Sequence, residues 1–474
     1  MKSTALLVPA LTQLILATAV SAQTPRPRPL TDAERDAEIR EIHKQLDTLS
    51  ARLAALEAQT ANRDAPAIAA HDDAESSMPP TAISAKAGAA SQPLIDTPDT
   101  PANLGFLHGT TLNFGVDGYY GYNFNAPIGR VNLLRAYDVT SNSFNINQAS
   151  FMVEHLPTAT ERLGGRIDLQ FGQATETLQG SSSNEERPQV WRNLFQAYGS
   201  YLAPIGSGLQ IDFGKWASSL GNEGNYTKDQ IAYSRSFSFD YLPFYHMGLR
   251  ANYNLTPRLN VAYWLVNGAN DTEDLNGFKS QAFLFTLKPA SSLTWNINYY
   301  FGQEARDVEP TINTNAPPSP TQPGLPTANI TPAPNGREHI FDTYATWKPT
   351  SRLTLIGEAD YVIHRTQQQQ SPSHVALGSL TTKYSLARNW NLGGRFEYFD
   401  DRNGLFSGKA QALKEFTFIS DHTLTPGFLV RAEYRRDFSN QPYFLTDTIG
   451  VLVRSQTTAT LGLVYWWGTK QGIW

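Results

Sequence analysis

The chain has 474 residues, a formal net charge of -5, no cysteine, 41% hydrophobic residues and a mean hydropathy of -0.37. That average is too polar for a bundle of membrane helices, and the mild acidity gives no electrostatic reason for a nucleic-acid partner. The missing cysteine removes disulfides, thiolate metal sites and catalytic thiols.

The chain opens MKSTALLVPALTQLILATAVSAQ. Lys2, the apolar stretch Ala5 to Ala19 and the small residues Val20-Ser21-Ala22 predict a signal peptide over residues 1–22. No later apolar run is long enough to span a membrane as a helix. Residues 31–60 lack Gly and Pro, and Ile39, Ile42, Leu46, Leu49, Leu53 and Leu56 recur at alternating spacings of three and four. This predicts the seam of a short α-helical coiled coil, expected in the periplasm, whose mixed Ile and Leu do not choose between dimer and trimer; a single amphipathic helix packed on another surface is the alternative. Residues 61–103, rich in Ala, Pro, Ser and Asp, read as a flexible linker with a reach of about 35 Å.

From residue 104 to 474 the period changes to two. Leu293, Trp295, Ile297 and Tyr299 alternate with Thr294, Asn296 and Asn298; Phe428, Val430, Ala432 and Tyr434 alternate with Leu429, Arg431, Glu433 and Arg435. Short turns, such as NLTP at 254–257 and KPTS at 348–351, alternate with long polar connections, such as 217–243 and 302–336. The pattern predicts an all-β transmembrane barrel of about 16 antiparallel strands, apolar residues against outer-membrane lipid and charges inward. Tyr120, Tyr122, Tyr299, Phe301, Trp347, Trp390, Tyr465 and Trp467 suit aromatic girdles.

Strand parity then points Asp117, Arg166, Asp168, Asp212, Arg250, Glu358, Asp360, Arg395, Glu397, Arg431, Glu433 and Arg435 inward. They are the expected pore-lining residues, with pairing across strands as the alternative role. The third long loop, 217–243, is the candidate constriction; it carries Glu223, Lys228, Asp229, Arg235 and Asp240 among four aromatic residues, Tyr226, Tyr233, Phe237 and Phe239. The Pro-rich stretch 309–336 reads as an exposed, poorly ordered loop. No nucleophile-elbow, zinc-protease, phosphate-loop or dinucleotide pattern occurs. The histidines, with His155, His246 and His364 in or near strands and His339 and His374 near loop edges, lack metal-ligand spacing. No catalytic residue, metal or cofactor is expected.

YSRSFSF at 233–239, PFYHMGLRANY at 243–253, VNGANDTEDLN at 266–276, RFEYFDDRNG at 395–404 and RAEYRRDFS at 431–439 together resemble the β-barrel porins of the OmpL-like group. The resemblance implies a bacterial outer-membrane porin without naming a solute. A coiled coil before a barrel is also similar in layout to trimeric porins with periplasmic extensions, which implies a homo-oligomer, by analogy a trimer. Trp474 departs from the usual ending, because GTKQGIW places it out of phase with Ala459, Leu461, Leu463, Tyr465 and Trp467. The expected function is passive diffusion of small hydrophilic solutes and ions. The alternatives are a solute-selective channel, for example for an oligosaccharide, and a structural tether with the barrel as its anchor.

Overall fold

The computed structural model describes residues 108–179, 185, 187–312, 328–332, 335–470 and 472–474. The chain divides into two units, Met1–Met78 and Pro79–Trp474, and every described residue belongs to the second. The signal peptide, the coiled-coil seam and the linker lie outside the described residues.

Sixteen strands form one closed antiparallel cylinder. They are β1 Thr110–Asn123, β2 Ser143–His155, β3 Leu163–Phe171, β4 Leu194–Ala203, β5 Leu209–Ala217, β6 Tyr245–Thr256, β7 Leu259–Val266 and β8 Ser280–Ala290. There follow β9 Leu293–Gly302, β10 Glu338–Trp347, β11 Leu353–His364, β12 Ser373–Ala387, β13 Trp390–Asp401, β14 Gln411–Thr425, β15 Phe428–Ser439 and β16 Ser455–Gly468. Each pairs with its neighbour in sequence, and β16 closes on β1 from Asn113 opposite Gly468 to Asn123 opposite Thr458. Closure removes the sheet edges, so every strand has a partner on both sides, as a bilayer requires. Long and short connections alternate around the cylinder as the sequence predicts. No helix among the described residues is long and apolar enough to cross a membrane.

The outer face is apolar and ladders across strands. Phe396, Tyr398, Phe416, Phe418, Leu461 and Leu463 are exposed, and Phe114 stacks on Trp467 with ring centroids 5.3 Å apart. Of the girdle aromatics, Tyr122, Trp347, Trp390, Tyr465 and Trp467 are exposed outward. Tyr120, Tyr299 and Phe301 are half-buried among neighbouring rings.

Two features depart from the sequence reading. First, the Pro-rich stretch contains order: Val308–Ile312 pairs antiparallel with Ala328–Pro332. The β-branched residues Val308, Thr311, Ile312, Ile330 and Thr331 favour extended backbone, and a two-stranded hairpin tolerates Pro310 and Pro332 at its edges. Second, the inward face is not uniformly polar. Trp264, Val266, Ala282, Tyr300, Ile340, Val362, Val375, Leu377, Phe399 and Leu413 form a buried apolar cluster with Phe237, Leu220, Leu242 and Phe444 from loops.

Candidate functional site: the lumen and its third loop

Residues 218–244, between β5 and β6, fold into the cylinder and lie against its inner wall. Their local structure is one turn of 3-10 helix, Thr227–Asp229, and one short α-helix, Phe237–Tyr241. Ser236 precedes the helix in extended conformation and accepts a hydrogen bond from the Phe239 amide at 3.0 Å, the expected N-cap role of serine. Two turns cannot satisfy the loop's backbone groups, so most are answered by side chains of the wall.

The acids of the wall take amides. Glu397 accepts from the Phe237 and Ser238 amides, each at 2.7 Å, and Glu433 accepts from the Tyr233 amide at 2.7 Å. Glu358 accepts from the Asn222 amide at 3.0 Å and from its side chain at 2.6 Å. The arginines take carbonyls. Arg431 donates to Gln230 O at 2.6 Å and Ala232 O at 3.0 Å while its Nε holds Asp421 at 2.7 Å. Arg395 donates to Ser234 O at 2.9 Å and pairs with Glu415 and the loop's Glu223, each at 2.7 Å. Arg435 donates to Arg235 O and pairs with Asp437 at 2.7 Å. On the neighbouring arc, across the β16–β1 closure, Asp117 accepts from the Tyr233 hydroxyl at 2.7 Å. Asp168 accepts from the Tyr226 hydroxyl and forms a bidentate pair with Arg166 at 2.8 Å.

Each residue assigned to the lumen by parity therefore points inward, and all but the half-buried Arg250 are buried. Most of them grip the loop rather than open water. Arg250 pairs with Asp212 at 2.6 Å and lies over Tyr198 and Trp216. Asp360 sits beside Asp342 and Glu358, with carboxylate oxygens within 4.8 Å of one another, and neutral donors from Asn222, Ser238, Asn298 and Ser379 reach the group. Crowded carboxylates alone do not make a metal site.

The five charged loop residues divide by role. Arg235 organises the loop from within, donating to Gly224 O at 3.1 Å, Tyr233 O at 2.8 Å and Asn225 O at 2.9 Å beneath the Tyr137 ring at 4.5 Å. Glu223 bridges Arg395 and the Ser236 amide. Burial alone would raise its carboxyl, but Arg395 and Arg235 outweigh that and hold it below its usual range. Lys228 and Asp229 pair at 2.7 Å, and burial presses both toward their neutral forms. Asp240 lacks such a close partner, and burial pushes its carboxyl up to about 7.

Sequence reasoning missed Asn222, Ser234 and Ser238, whose amides and side chains meet the wall, because no local pattern announces a contact made across the lumen. It also missed the course of the chain after β16. At Gly468, with φ of 148°, the backbone turns inward; a Cβ there would lie 2.4 Å from Asn113 Oδ1. Trp474 then packs inside the cylinder, 3.0 Å from where a Cβ on Gly115 would stand. Its displacement from the strand's phase is thus the result of a turn into the lumen.

Among solved structures, the outer-membrane channel DcaP of Acinetobacter baumannii is similar at 12% identity and TM-score 0.48, over 76% of this chain and 97% of that one. The anion-selective porin from Comamonas acidovorans matches at 8% identity and TM-score 0.46, over 76% and 99%. The outer-membrane protein OmpT of Vibrio cholerae matches at 11% identity and TM-score 0.45, over 76% and 97%. No curated relative matches the chain. The family model for beta-barrel porin-2, OmpL-like proteins matches residues 109–466, which is nearly the whole cylinder. The chain belongs to the OmpL-like family of β-barrel porins.

Proposed function

We propose that the protein is an outer-membrane porin in which small hydrophilic solutes and ions diffuse passively past a constriction formed by residues 218–244. The observation that carries this reading is the closed sixteen-strand wall with a loop held inside it by wall charges. A diffusion channel needs a lipid-facing exterior, a polar interior and a fixed narrowing; it needs no covalent chemistry. In this reading most of the twelve inward charges act first as supports of the constriction, and through it on what passes. Family and fold point to a channel rather than an enzyme.

The test is single-channel recording of the refolded mature protein in a planar bilayer. Stepwise openings are expected, with a reversal potential in a salt gradient that reads the charge preference directly. Silence from a demonstrably folded barrel would overturn the channel and favour an anchoring role. Residues 31–60 are proposed as a periplasmic coiled coil that stabilises a homo-oligomer, by analogy a trimer. Deleting them should lower oligomer stability in detergent, and oligomers of unchanged stability would refute that part alone.

A further inference from the structure

We propose that Trp474, carried by the segment that follows β16, is a positioning residue for the constriction: it clamps the Tyr226–Asp229 turn of the third loop from the short-turn end of the lumen. This rests on the porin reading and adds a second, separate hold on the loop.

The segment is first rooted on the wall. Thr469 donates its amide to Leu112 O at 3.0 Å and its hydroxyl accepts from the Leu112 amide at 2.9 Å. Lys470 donates its amide to Asn113 Oδ1 at 2.9 Å and its ammonium to Glu154 Oε2 at 2.5 Å, inside the wall at β1 and β2. From that root it reaches the loop at several points. The Trp474 amide donates to Asp229 Oδ2 at 3.1 Å, and Lys228 Nζ donates to Gly472 O at 2.7 Å. Lys228 Nζ also lies over the Trp474 ring at 4.6 Å, and the Tyr226 ring meets that indole edge-on at 5.6 Å.

The turn is thereby held from two sides. Arg431 takes Thr227 O at 3.2 Å and Asp168 takes the Tyr226 hydroxyl from the wall, while Trp474 covers the Lys228–Asp229 pair from below. Gly115 leaves the space that the indole occupies, since a side chain there would meet the ring at 3.0 Å. The Phe237–Tyr241 half of the loop is held elsewhere, by Glu397 on the wall and by ring contacts with Phe399, Phe406 and Tyr137, so losing the indole should free one end of the constriction and leave the other docked. A narrowing loose at one end fluctuates, and fluctuation at a constriction is read as current noise.

The experiment compares wild type with Trp474→Ala, Trp474→Phe and Lys228→Met in the refolded mature protein, by single-channel recording and by thermal melting in detergent. Trp474→Ala is expected to raise open-channel noise at least about twofold and to raise mean conductance, with Trp474→Phe restoring most of the wild-type trace because it keeps a ring against Tyr226 and Gly115. Lys228→Met leaves the segment after β16 intact and tests the same clamp from the loop side, with the same direction of change expected if Trp474→Ala fails to fold. Wild-type noise and conductance in folded Trp474→Ala, or in Lys228→Met should the former not fold, would overturn the proposal. Absence of channels from wild type would instead count against the porin reading.

Discussion

Strands β15 and β7 face the same loop core from different arcs of the wall and hold the lumen together by opposite means. β15 presents Arg431, Glu433, Arg435 and Asp437, each buried and each in hydrogen bonds to the loop or to a neighbouring wall charge. β7 presents Trp264 and Val266, which join Trp216, Ala282, Tyr300 and the loop's Leu242 in an apolar cluster. A barrel interior containing a folded loop therefore has two surfaces of its own. Where the loop exposes backbone, the wall must be charged; where the loop exposes Phe237 and Leu242, the wall can be apolar. Directional contacts fix the loop's register, and apolar burial supplies non-directional adhesion.

Breaking the charged side should cost most. Arg395→Ala strands Glu223 and Glu415, both buried, and breaking such a pair costs about 3–5 kcal/mol. The variant should melt well below wild type in detergent and, if folded, conduct more; unchanged melting would mean that the ion pairs do not hold the loop. On the apolar side, Phe237→Ala should cost about 3 kcal/mol by cavity formation, with a smaller change in conductance because the Glu397 contacts are made by backbone amides that survive. Equal conductance changes in the two variants would erase the distinction between the two surfaces.

A finer cut is Arg435→Lys, which keeps the charge but loses the planar fork that spans Asp437 and Arg235 O. A loss of about 1 kcal/mol is expected from the missing hydrogen bond, with ion selectivity nearly unmoved. A large selectivity shift would instead make Arg435 a group that faces permeating ions.

The smallest effect is on pH. Asp240 has its folded value raised to about 7 from an ordinary 3.8, so the native state binds the extra proton between those values. Its contribution is complete below the unfolded value and is lost as pH rises to about 7, so wild type should lose stability between about pH 4 and pH 7 and level off above that. For this half-buried group the slope is worth about 1 kcal/mol after allowing for solvent screening, and Asp240→Asn should flatten it in pH-resolved melting. A slope that persists in Asp240→Asn would belong to another group.

Strand number, alternation of turns and inward charges were legible because a two-residue period survives in each strand by itself: Phe396 and Tyr398 point out, Arg395 and Glu397 point in. The third loop was legible as a candidate because it is long, charged and aromatic. Its partners were not, since Glu397 meets Phe237 across 160 positions and Arg431 meets Ala232 across 199. The apolar lumen patch escaped for a related reason. In LNVAYWLV both faces carry apolar groups, so contrast between faces disappears just where the loop provides a second core. The hairpin at Val308–Ile312 was masked by proline content, which obscured the β-branched residues between the prolines.

The hold on the third loop also has a meaning in time. Its grips come from β11, β13 and β15, from β1 and β3, and from Trp474, which lies 245 positions beyond the Asp229 that it touches. Contacts so distant in sequence are entropically expensive to bring together early, so docking belongs to the last stage of folding, when β16 meets β1. Before that moment the sheet is an open curl whose arginines and glutamates have no loop backbone to answer. The constriction is therefore a seal that only a completed cylinder can set, and a chain halted short of closure would be recognisable by a third loop still open to proteolysis.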